Sequence, residues 1–122
     1  MDQRPRAAVG DGAGGGRLRD PGEPARLAAG DLELNLLTRK ASRAGQQIEL
    51  QAREYALLEY LLRNKRTVLT RDQILQQVWG YDYVGDTNVV DVYVNYLRSK
   101  IDKDFDRKLI RTVVGVGYMM EA

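Results

Sequence analysis

Asn88, Val92, Asn95 and Ser99 carry side chains of the kinds that read the edges of DNA bases. Amides pair with the adenine edge, a hydroxyl serves as donor or acceptor, and apolar carbons meet the thymine methyl. Helical winding of about 100° per residue puts all four on one side, flanked by Tyr96. Val90, Val94, Leu97 and Ile101 fall on the opposite side and form the apolar stripe expected of a core-facing helix. A solvent face usually carries long charged side chains, whereas this one mixes amides, a hydroxyl, an aromatic ring and a small apolar group. The same mixture suits packing against another protein, so that alternative stands beside base reading.

Cations and one indole surround this stripe. Arg71 falls in the first turn of the preceding helix, where free N–H groups and a guanidinium together make an anion site. Trp79 has an indole N–H for a phosphate and equally a ring for the core. Arg98 and Lys100 lie near the helix end, placed for phosphates or for the C-terminal end of the helix dipole, and the two roles are compatible. Asp91 and Arg98 are seven residues apart, too far for a direct pair along the helix. Arg107, Lys108 and Arg111 cluster at one end of a hairpin that can follow the DNA backbone or minor groove. Gly115-Val116-Gly117 joins two strands without opening a helix, so it is not a dinucleotide-binding loop.

The elements that must position these groups follow from periodicity. Leu32, Leu34 and Leu36 alternate with Glu33 and Asn35, and Ala44-Gly45 turns the chain before Gln47–Leu50. This predicts three or four short antiparallel strands between Asp31 and Glu49. Gln51–Asn64 has a helical stripe of Tyr55, Leu58, Leu61 and Leu62, with Arg53, Glu54 and Arg63 outside it. Thr67–Leu69 reads as a short strand. Thr70 and Gln73 have capping-box spacing at the start of a second helix that Gly80 ends. Gly80–Asp86 is a loop, Thr87 a cap, and Asn88–Ile101 the third helix. Leu109–Val114 and Tyr118–Met120 form the closing hairpin.

The composition excludes much else. The 122 residues include no cysteine and no histidine, so disulfides, thiolate metal sites and histidine-based nucleophilic catalysis are ruled out. No metal, cofactor or enzymatic activity is expected, and no apolar run is long enough to span a membrane. A cytoplasmic location follows by default. Residues 1–25 hold six of the twelve glycines and all three prolines, with balanced charge and almost no large apolar residue. They are expected to be disordered, as an interdomain linker, a cloning remnant or both. The formal charge of +2 therefore lies in residues 26–122, the expected folded domain. It permits a polyanionic partner without demanding one.

The stretch LTRDQILQQVWGYDY, followed by TNVVDVYVNYLRSKID and LIRTVVGVGY, resembles the effector domain of OmpR/PhoB-type response regulators. The upstream LQAREYALLEYLLRNKRTVLTR matches the same family. The resemblance implies an α+β fold: a winged helix-turn-helix with an N-terminal four-stranded antiparallel sheet, three helices and a C-terminal hairpin wing. It implies binding to tandem half-sites of double-stranded promoter DNA roughly 10 bp apart. Family base contacts fall on Asn88, Val92, Tyr93, Asn95 and Tyr96, and backbone contacts on Arg71, Trp79, Arg98 and Thr112. Lys100 and Arg111 join the second group as nearby cations. Gly80, Tyr81, Asp82, Tyr83, Val84, Gly85 and Asp86 correspond to the loop that touches RNA polymerase. Many members have an arginine where this chain has Val114, and basic residues are frequent where Asn95 and Tyr96 stand. The receiver domain of such proteins has no counterpart here, so the chain is expected to be a fragment, monomeric alone and dimeric on DNA. A winged-helix module for protein–protein contact is the alternative.

Overall fold

The computed structural model describes residues 25–121. The expectation of disorder for residues 1–25 therefore lies outside the described residues, apart from Ala25. Four strands, β1 (Arg26–Ala29), β2 (Leu32–Asn35), β3 (Lys40–Arg43) and β4 (Gln46–Ile48), form an antiparallel sheet in that order. Three of them lie within Asp31–Glu49, and β1 precedes that stretch. β1 carries no alternation of large apolar residues. Its pairing with β2, Ala29 opposite Leu32 and Leu27 opposite Leu34, supplies what its own sequence lacks. Leu32 and Leu34 point into the core. Ala44 and Gly45 both have positive φ, 51° and 82°, the backbone that a two-residue hairpin turn requires.

Helix α1 (Ala52–Arg63) opens with a capping box, the Gln51 N–H donating to Glu54 Oε1 at 2.8 Å. It buries Tyr55, Leu57, Leu58, Leu61 and Leu62. Glu54 is buried as well, at 2% exposure, contrary to its expected place outside the stripe. The N-cap amide and Lys100 Nζ, 2.6 Å from Oε1, satisfy its carboxylate there. Strand β5 (Leu69–Thr70) then leads into α2 (Arg71–Ile74). Here Thr70 and Gln73 form the expected capping box, with Gln73 N–H to Thr70 Oγ1 at 3.0 Å and the reverse bond at 2.8 Å. The helix continues through Leu75–Trp79 with the wider π winding, closed by Gly80 N–H to the Leu75 carbonyl at 3.1 Å. Gly80, at φ +107°, ends it.

Helix α3 spans Val89–Ile101 and buries Val90, Val94, Leu97 and Ile101, the stripe the periodicity predicts. Its start differs from expectation. Asn88, not Thr87, is the cap residue, and the Asn88 side chain makes no cap bond. Thr87 takes part through its carbonyl, which accepts from Val90 N–H. Strands β6 (Ile110–Val113) and β7 (Gly117–Met120) pair as a hairpin, and β7 also pairs with β5. Gly117 is required by close approach: a Cβ there would meet the Leu69 carbonyl oxygen at 1.9 Å.

An ion network centred on the buried Arg43 ties the two sheets together. Arg43 in β3, only 1% exposed, donates to Asp31 and Asp102, each at 2.9 Å. Asp102, the residue that ends α3, also accepts the Leu109 and Ile110 N–H groups at 2.9 and 3.0 Å. The Arg43 guanidinium further stacks on the Phe105 ring, 4.4 Å from its centroid. The N-terminal sheet, the end of α3 and the start of the wing are thereby held as one body.

Candidate nucleic-acid interface

The outer stripe of α3 is open to solvent. Asn88, Val92, Asn95, Tyr96 and Ser99 are all exposed. The Ser99 hydroxyl donates back to the Tyr96 carbonyl at 2.7 Å, which leaves its oxygen free to accept. Tyr93 differs from the other expected base-contact residues. It is half-buried, packed against the core, and meets Trp79 and Tyr96 edge-on, each at 5.3 Å. Edge-to-face pairs at this distance are favourable, so Tyr93 braces the Tyr96 ring. Trp79 is itself half-buried, touched by Tyr83 at 6.5 Å and covered by the Arg53 guanidinium at 5.6 Å.

A second cluster borders the stripe on its other side. Arg71 Nε donates to Asp91 Oδ1 at 2.9 Å, and the Tyr118 hydroxyl donates to the same oxygen. The guanidinium groups of Arg71 and Arg98 each lie 5.4 Å from the Tyr118 ring centroid. Arg98 continues into the wing, donating to the Ile110 carbonyl at 3.0 Å and to Thr112 Oγ1 at 2.6 Å. Helix α2, helix α3 and the hairpin therefore meet at four residues, Arg71, Asp91, Arg98 and Tyr118. Partial burial favours the protonated Asp91 carboxyl, but the Tyr118 and Arg71 hydrogen bonds outweigh it and hold the group below its ordinary range. Burial and the bond to Asp91 push the Tyr118 phenol up. The hydrogen bond and charge of Asp91 push the Arg71 guanidinium further up from its already high ordinary value.

The structure thus gathers Arg71, Arg98 and Thr112 beside Asn88, Val92, Asn95 and Tyr96. It does not bring Lys100 or Arg111 to them. Lys100 reaches α1, bonding Glu54 and the Glu49 carbonyl at 3.0 Å, because the buried Glu54 carboxylate needs a counter-charge. Arg111 alternates to the face of the hairpin away from Thr112 and pairs with Glu121 at 3.2 Å. Lys108 is likewise used internally, its ammonium donating to the carbonyls of Asp102 and Phe105. Asp91 and Tyr118 are functional candidates that sequence reasoning missed. Asp91 has no partner along its own helix, and both of its partners come from elements distant in sequence. The tip of the wing presents Val114, 89% exposed, and the loop after α2 presents Tyr81 and Val84 at 87% and 94%.

A family model described as "Transcriptional regulatory protein, C terminal" matches residues 45–120. The chain belongs to the OmpR/PhoB family of response-regulator DNA-binding domains. It is 50% identical over 91 residues to the transcriptional regulatory protein CusR of Escherichia coli, covering 75% of this chain and 40% of that protein. The chain spans about two fifths of the length of the curated relatives it matches. The crystal structure of DrrB, an OmpR/PhoB homologue from Thermotoga maritima, superposes with a TM-score of 0.71. Its sequence is 28% identical, and the match covers 80% of this chain and 45% of DrrB. The Klebsiella pneumoniae RstA DNA-binding domain, solved in complex with the RstA box, gives a TM-score of 0.70 at 26% identity. That match covers 79% of this chain and 96% of the RstA domain. The four-stranded N-terminal sheet, three helices and C-terminal hairpin are the winged-helix arrangement of this family. Among the described residues no helix is long and apolar enough to cross a membrane.

Proposed function

We propose that this family member binds double-stranded promoter DNA sequence-specifically, with α3 in the major groove and the β6–β7 hairpin as the wing. The observation that carries this reading is the exposed stripe Asn88, Val92, Asn95 and Ser99, free of long charged side chains and bordered by the guanidinium groups of Arg71 and Arg98. Amides and apolar carbons discriminate bases, while the bordering cations fix the helix against phosphates. The complex of the RstA domain with its box supports the same docking here. Tyr96, braced by Tyr93 and Trp79, extends the reading surface as a rigid aromatic ring.

In this reading the chain acts in the bacterial cytoplasm as the output part of a two-component response regulator. It occupies tandem half-sites about 10 bp apart, as a monomer when free and a dimer on DNA. Phosphorylation control resides in a receiver domain within the additional length that its relatives have. The exposed Tyr81 and Val84 suit the Gly80–Asp86 loop to RNA polymerase contact.

Titration of duplex binding with salt tests the proposal. Each phosphate neutralised contributes a slope of about −0.9 to log K against log[salt]. A duplex selected by the chain from a random pool should bind more tightly than an unselected one, and both should show the slope. A flat salt dependence with no sequence preference would instead support a protein-interaction module. The uncharged wing tip at Val114 is the observation that keeps that second reading in view.

A further inference from the structure

Asp91 places a carboxylate, 37% exposed, beside the surface that would meet a polyanion. An unpaired carboxylate there would repel every duplex. Instead, its Oδ1 takes the Arg71 Nε–H and the Tyr118 O–H. The pair carries no net charge, so in the free protein Arg71 is not the isolated phosphate-binding cation that its position in the first turn of α2 suggests. Only Nε of Arg71 is bonded among the described residues, and its remaining N–H groups are directed donors anchored from behind by the carboxylate and by the Tyr118 ring. Arg98 presses on the same ring and grips Thr112 in the wing.

We propose that Asp91 is a specificity-determining positioning residue, which cancels the charge of Arg71 toward arbitrary DNA while fixing the α2–α3–wing angle that a correct site requires. The inference rests on the DNA-binding reading above. The charge of a free arginine would attract all duplexes alike. The fixed geometry matters only where α3 must seat on particular bases. Asp91 thus lowers sequence-blind affinity and preserves the selective part.

A charge cycle on the full chain tests this, read by salt-dependent binding to a selected duplex and to a random duplex. Asp91→Asn keeps an oxygen for both hydrogen bonds and removes the charge. Random-duplex affinity should rise by about fivefold, with a salt slope steeper by about 0.9, and the selected-to-random ratio should fall. Arg71→Gln should lower random-duplex affinity by about the same factor, since it leaves Asp91 facing phosphates unpaired. The double variant, neutral like the wild-type pair, should return near the wild-type random affinity with the ratio still reduced. Asp91→Glu should recover part of the ratio. Thermal melts confirm that each variant is folded, and the double variant decides the matter if Asp91→Asn is not. Wild-type binding with a clear salt slope, but no gain in Asp91→Asn and a double variant no better than Arg71→Gln, would overturn the inference while leaving DNA binding intact. Wild-type binding without a salt slope would remove both.

Discussion

Arg98 in helix α3 and Thr112 in the wing are bonded directly, Nη2 to Oγ1 at 2.6 Å, with a second bond from the same nitrogen to the Ile110 carbonyl at 3.0 Å. Two groups that look like separate phosphate contacts in the sequence form a single strut. A wing tethered in this way does not need to be ordered by DNA.

Thr112→Val keeps the side-chain shape and removes the hydroxyl acceptor. It should cost about 1 kcal/mol of stability and raise amide exchange at Val113–Val116 more than in α1. Equal exchange across the whole chain would mean that the strut does not hold the wing.

Asn95 lies at the centre of the exposed stripe, open to solvent. Asn95→Ala should lose about 1–3 kcal/mol of binding on the selected duplex and almost none on random DNA, with an unchanged melting temperature. Comparable losses on both duplexes would place Asn95 among the anchors.

Arg43→Met removes a buried guanidinium and leaves Asp102 with only its two backbone donors. Breaking one side of a buried ion pair costs about 3 kcal/mol or more, so the chemical denaturation midpoint should drop markedly. Because Arg43 bonds none of Asn88, Val92, Asn95 and Ser99, base selectivity measured below the transition should stay as in wild type.

Gly117→Ala forces a Cβ against the Leu69 carbonyl, which is backbone and cannot swing aside. The β5–β7 pairing must open, at a cost of about 1–3 kcal/mol. Gly115→Ala meets no atom within 4 Å and strains only a turn with φ +77°. The thermal shift should therefore be larger at 117 than at 115.

The Asp91–Tyr118 bond should bound stability at both ends of the pH scale. Asp91 titrates below its ordinary 3.8 when folded, so its contribution is present above that value and fades as acid drives pH down through the folded pKa. Tyr118 titrates above its ordinary 10.0, so its contribution is complete below that pH and fades as base drives pH up through the folded pKa. Tyr118→Phe should flatten the alkaline loss and part of the acid loss in melts taken across pH. Unchanged limbs in that variant would separate the bond from stability.

The local code determined a good deal by itself. Apolar residues at helical spacing set the inner face of α3, and the amides and hydroxyl left over define its outer face. Thr70 with Gln73 set the start of α2, and Gly80 set its end. These are contacts within a few residues, so composition and spacing contain them. β1 was less legible, because a short alanine-containing strand takes its conformation from the partner beside it.

Tertiary structure decided which of the charged groups are free to act. Lys100, Lys108 and Arg111 all look like phosphate ligands in sequence, yet each is committed to a partner from another part of the chain. Asp91, which the sequence leaves without a pair in Arg98, becomes the point where Arg71 and Tyr118 meet, the former 20 and the latter 27 residues away. Coulombic and hydrogen-bond partners are chosen by distance in space, and a periodic pattern carries no record of that distance. The stripe from Asn88 to Ser99 could be written down from the sequence, while the clamp that aims it existed only once α2, α3 and the wing had closed on one another.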